Sequence, residues 1–113
     1  MSQTFRRNPF FTADVQKEFA WYWDEAGEDV AWRFEAAVER TLPDIAQQPG
    51  LGRERRFRHP ALGGLPSFRV EPPFKKLPIF YRIEGGCVEA WRLMHGERDL
   101  PRRLIEPPTS SAA

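Results

Sequence analysis

Cysteine is almost absent from this chain. Cys87 stands alone, so no internal disulfide can form, and a reducing cytoplasm suits such a protein. Long apolar runs are missing as well. No segment offers the roughly 20 successive apolar residues that span a bilayer, and no apolar run of signal-peptide length follows Arg6 and Arg7. The expectation is a soluble cytoplasmic protein with no membrane partner. No glycine-rich phosphate loop, paired-carboxylate motif or metal-ligand spacing occurs, which sets aside NTPases, glycosidases and metalloenzymes and predicts no cofactor and no metal. Lysine is scarce, with three residues against fourteen arginines. Lys75 and Lys76 sit together in a predicted turn, so no strand presents a dense lysine set.

What is present describes one folded domain. A chain of 113 residues is long enough to bury roughly two thirds of its unfolded surface. Its aromatic and aliphatic content excludes general disorder. Residues 1–50 hold nine acids and five bases, a balance of −4, whereas residues 51–113 hold twelve bases and seven acids, a balance of +5. The acidic half repels nucleic acid, and the basic half suits phosphates or an acidic protein. The domain is expected over residues 1–106, followed by a flexible tail over 107–113.

The apolar period is helical first and alternating later. Phe5 to Phe11, interrupted by Pro9, reads as a short edge strand or an extended arm. Thr12 is expected to cap a helix with Asp14 in its first turn. Its stripe runs through Val15, Phe19, Tyr22, Trp23 and Ala26, and Gly27 ends it. Trp21 lies off that stripe, at the core margin or ready for a partner. Asp29 is the expected cap of a second helix with Val30, Phe34, Ala37, Val38, Leu42 and Ile45 inward. Pro43 predicts a kink or restart, and Pro49-Gly50 a stop. So short a connection forces an antiparallel hairpin.

Residues 49–64 read as a loop that carries Arg53, Arg55, Arg56 and Arg58 around Phe57. These arginines either bind phosphates or carboxylates of a partner, or they cover the acidic helices. Three antiparallel strands over 66–95 complete the fold. Pro66 to Glu71 alternates, with Phe68 and Val70 on one side and Arg69 on the other. Leu77 to Glu84 is joined through Gly85-Gly86 to the stretch from Val88. A two-residue turn pairs Ile83 with Val88, Arg82 with Glu89, Tyr81 with Ala90 and Phe80 with Trp91. Ile79, Tyr81, Ile83, Val88, Ala90 and Met94 then face the helices. Phe80, Arg82, Glu89, Trp91, Leu93 and His95 form an amphipathic opposite face, which is either a binding surface or covered by the C-terminal segment. Leu100 to Ile105 adds a helical turn.

The stretch Ala90-Trp91-Arg92-Leu93-Met94-His95-Gly96-Glu97-Arg98-Asp99 follows the Gly85-Gly86 hairpin. Together with Leu62-Gly63-Gly64-Leu65, Arg69 and Phe74 to Ile83, it resembles the RelE/ParE family of toxins. The resemblance runs from Thr12 to Leu104. It implies an α+β fold, an N-terminal helical hairpin on a small antiparallel sheet with a short C-terminal helical segment. It also implies a cognate antitoxin as partner in a hetero-oligomer. Family members either cut messenger RNA on the ribosome or poison DNA gyrase. Cleavage needs groups that move protons and stabilise phosphate charge, and His95, Arg82, Arg92 and Arg98 are the residues that would serve. No tyrosine or histidine follows the closing signature, so the chain resembles the ParE branch, whose members poison gyrase without cutting nucleic acid. The alternatives are a ribosome-dependent ribonuclease with ribosome and message as partners, or a non-toxic binding module. Trp21, Arg53, Arg55, Arg56, Arg69 and Trp91 are the expected contacts to antitoxin or target, because they mix aromatics with guanidinium groups. His95, Gly96, Arg98 and Asp99 form the structural signature at the strand end.

Overall fold

A computed structural model describes residues 4–55, 57–58, 62, 65–95 and 100–108. Strand β1 (Thr4–Arg7) leads into helices α1 (Pro9–Ala26) and α2 (Glu28–Gln47). A 3-10 turn at Pro49–Leu51 precedes β2 (Arg53–Arg55), β3 (Leu65–Arg69), β4 (Pro78–Glu84), β5 (Cys87–Leu93) and α3 (Leu100–Ile105). The five strands lie in the order β1-β5-β4-β3-β2. β2 to β5 pair antiparallel as neighbours, and β1 adds to β5 in parallel. The α+β plan of a helical hairpin on a sheet is therefore as expected, with the N-terminal arm as an edge strand.

Both helix starts differ from the expected caps. Asn8 in place of Thr12 caps α1, its side chain accepting a hydrogen bond from the Phe10 N–H at 2.8 Å, with Pro9 at the first helical position. An Asn-Pro pair combines a side-chain acceptor with a preset φ, a stronger start than a threonine four residues later. Gly27 alone connects the two helices, so Glu28 and Asp29 fall in the first turn of α2 and Asp29 is not its cap. Pro43 neither breaks nor restarts α2. Val38, Leu42 and Ile45 are buried on both sides of it, and that packing holds the helix together across the missing N–H.

One core lies between hairpin and sheet. Phe11, Phe34, Val38, Leu42 and Ile45 meet Val70, Phe74, Leu77, Ile79, Tyr81, Val88, Ala90 and Leu93. Tyr81 reaches beyond it. Its hydroxyl donates to the carbonyl of Pro49 and accepts the Gly52 N–H at 3.0 Å. A Cβ at Gly52 would sit 2.0 Å from that oxygen, so only glycine lets the chain pass there.

The β4–β5 register is even from Glu84–Cys87 to Tyr81–Ala90, then shifts so that Phe80 opposes Arg92 and not Trp91. The bulge adds one residue to β5 and inverts the faces beyond it. Leu93 consequently enters the main core, and Met94 turns to the opposite face, the reverse of the regular alternation. Ile83, near the hairpin tip, is exposed and not buried. On the outer face Phe80 and Met94 pack with Leu62, Leu65 and Leu104, flanked by Phe57 and Trp91. The C-terminal helix, Phe57 and Leu62 thus cover part of that face. The expected loop over 49–64 likewise supplies a strand, since β2 pairs with β3.

Candidate functional site

β1 accompanies β5 only as far as Ala90, whose carbonyl accepts the Asn8 N–H. The chain then turns into α1, and the edge of β5 at Arg92 and Leu93 is closed by a side chain. Asp14 of α1 accepts the Leu93 N–H at 3.0 Å, Arg92 Nε at 2.7 Å and Arg92 Nη2 at 3.0 Å. Arg92 Nη1 donates in turn to the carbonyls of Arg103, Leu104 and Glu106 at the end of α3. One guanidinium therefore ties α1, the sheet edge and the C-terminal helix together, and it sits where cations favour a helix end. Arg92 is only 2% exposed. Its three nitrogens are all engaged, which leaves it no free fork for a phosphate.

His95 lies just past β5 and is exposed. Its carbonyl accepts a hydrogen bond from Arg103 Nη2 at 2.8 Å. It borders two hollows, one shared with Asp14, Lys17, Glu18 and Arg103, the other with Lys17, Glu18, Trp21 and Asp24. Burial pushes the Glu18 carboxyl up from the ordinary glutamate range, against the weaker pull of His95 and Lys17. A carboxyl raised in the folded state supports stability while protonated and withdraws that support as pH rises through the folded pKa. Glu18→Gln is therefore expected to match the parent protein near pH 4 and to be at least as stable at pH 7. Urea midpoints at the two pH values check this.

The outer face of the sheet gathers the other candidates. Arg53 opposes Ser67, which opposes Phe80, and Arg69 lies two positions along from Ser67 on the same face. Both arginines are exposed. Arg82 stacks over the Trp91 ring at 4.6 Å. Trp91 in turn packs against the outer apolar cluster. Arg53, Arg69, Arg82 and Trp91 thus share one face, with the backbone of Arg55 paired to Leu65 in β2. Trp21, 55% exposed, belongs instead to α1 beside His95, so the expected contacts form two groups. Arg56, Gly96, Arg98 and Asp99 lie outside the described residues. Among the described residues no cluster of His, Cys, Asp or Glu could hold a metal ion, and no helix is long and apolar enough to cross a membrane.

Asp14 is the residue that reading for motifs passes over. Its signal is a carboxylate three residues from Phe11 and one from Val15, on the inward side of the helix. A charge there requires a cationic partner from elsewhere in the chain.

The sequence pattern of the family described as ParE toxin of type II toxin-antitoxin system, parDE, matches residues 6–100. No curated protein matches the chain significantly. Among solved structures, the fold is similar to a chain from the chromosomal ParDE toxin–antitoxin system of P. aeruginosa. The TM-score is 0.69 and the identity 16%, covering 85% of this chain and 98% of that one. It is also similar to a chain of the RelBE2 toxin–antitoxin complex of Mycobacterium tuberculosis, with TM-score 0.57, 21% identity and coverage of 85% and 93%.

Proposed function

This chain belongs to the ParE toxin family of type II toxin–antitoxin systems, and from that premise we propose that it arrests growth by binding and poisoning DNA gyrase. It does so without cutting nucleic acid, and a cognate antitoxin neutralises it in a hetero-oligomer. The observation that carries this reading is Arg92. Of the residues that would serve RNA cleavage, it lines the same hollow as His95, yet its guanidinium is buried against Asp14 and three carbonyls. Stabilising a phosphate in the transition state needs donors aimed at open space.

His95 separates this mechanism from cleavage. A proton carrier with a near-neutral pKa is worth roughly two to four orders of magnitude in rate. Poisoning by binding transfers no proton. Induced His95→Ala protein is expected to arrest growth as the parent does; arrest lost together with message cleavage would overturn the reading.

The antitoxin is proposed to meet Arg53, Arg55, Arg56, Arg69 and Trp91 on the sheet and Trp21 on α1. An acidic amphipathic segment that folds on binding suits such a surface. Paired charge reversal, Arg53→Glu with Arg69→Glu, is expected to weaken capture of the antitoxin by about tenfold or more, given that like charges facing each other across an interface are strongly unfavourable. Titration of labelled antitoxin checks it.

A further inference from the structure

A trough of about 320 Å³ runs between α1 and α2, on the helical side of the molecule. Phe11, Val15 and Phe19 of α1 line it, facing Glu35 and Glu39 of α2. A second hollow continues past Arg7 along Phe5, Leu42 and Pro43. Towards the hairpin turn, Phe19 meets Trp32 edge-on at 4.9 Å and Trp23 at 5.8 Å. Both indoles are about half exposed, 52% and 43%. Helices α1 and α2 together carry nine acids and three bases, a net charge of −6. An apolar channel with exposed aromatics and one sign of charge is the pattern of a docking surface.

The chain itself shows which group the rim accepts. Arg7 enters from β1 and makes a two-pronged contact with Glu39, Nη1 to Oε1 at 2.7 Å and Nη2 to Oε2 at 2.6 Å. This is the matched geometry of guanidinium and carboxylate. Glu35, one turn earlier on the same side of α2, accepts no hydrogen bond among the described residues and acts on Arg7 through space. The trough therefore holds one filled carboxylate and one open to a second cation.

We propose that this trough docks an amphipathic helix of a partner protein, with leucine-like side chains on its apolar side and arginines on its polar flank. The apolar side lies against Val15, Phe19 and Trp32, and an arginine reaches Glu35 beside the Arg7–Glu39 pair. An acidic helix is repelled here. The hairpin and the arginine-bearing sheet face consequently select segments of opposite charge, and the toxin can hold both at once.

The test is a titration of the full chain with a fluorescent helical peptide of about four turns, bearing leucines at i, i+3, i+4 and i+7 and arginines on the flank. A glutamate-flanked version and a scrambled peptide of equal composition serve as controls. The arginine peptide is expected to bind in the micromolar range and the controls at least about tenfold more weakly, a difference of about 1.4 kcal/mol. Glu35→Lys, at a half-buried position on the trough wall, and Trp32→Ala, at an exposed one, are each expected to weaken binding by about tenfold, whereas Arg69→Glu leaves it unchanged. Circular dichroism confirms that the variants fold. Absence of binding, equal binding of either control, or binding that Glu35→Lys or Trp32→Ala leaves intact overturns the proposal, whatever the outcome with gyrase.

Discussion

Asp14→Ala is expected to destabilise the protein by about 3–5 kcal/mol, the usual cost of leaving a buried charge without its partner. The substitution strips Arg92 of both carboxylate contacts and the Leu93 N–H of its acceptor. Because Arg92 also holds the carbonyls at the end of α3, the C-terminal helix should loosen with it. Set against total stabilities of about 5–15 kcal/mol, this loss is large, so urea denaturation of the soluble variant is the measurement. Asp14→Leu combined with Arg92→Met removes both charges and is expected to recover much of the loss. If the single substitution costs less than about 1 kcal/mol, the range of an exposed ion pair, the lock assigned to Arg92 is wrong.

Phe34→Ala is expected to cost about 3–5 kcal/mol. Phe34 is fully buried and its ring centre lies 5.1 Å from that of Tyr22 and 5.6 Å from that of Phe74. Removing it opens a cavity where both helices meet the sheet, and it dissolves aromatic pairs worth something beyond their buried area. Trp32→Ala, half a turn earlier on α2 and half exposed, gives up one edge-on contact with Phe19 and should cost only about 1 kcal/mol. Thermal unfolding of the two variants side by side compares the inward and outward faces of one helix. Equal destabilisation would contradict the placement of α2.

Much of this architecture could be read from spacing. The inward set of α2 was visible in the recurrence of Val30, Phe34, Ala37, Val38, Leu42 and Ile45, and Gly85-Gly86 marked the β4–β5 turn, where both glycines adopt positive φ. The bulge left no such mark, because Trp91, Leu93 and Met94 are all apolar and alternation alone cannot reveal an inserted residue. β2 hid inside a run of arginines, since three residues are too few to show a period. The closing of the β5 edge was unreadable for another reason: Asp14 and Arg92 are 78 residues apart, and no local pattern joins a carboxylate on a helix to an arginine on a distant strand. Sequence resemblance led to the family, while the state of Arg92 came from the packing.

Arg92 also bears most directly on mechanism, because a guanidinium spent on holding three elements together is unavailable to a phosphate. The decisive measurement treats purified toxin in two assays side by side. Gyrase supercoiling is scored for trapped cleavage complexes, and translating ribosomes are scored for cut message. The account predicts trapped gyrase and intact message, with the same outcome for His95→Ala. Codon-associated cleavage of message that disappears in His95→Ala, with gyrase unaffected, would contradict it.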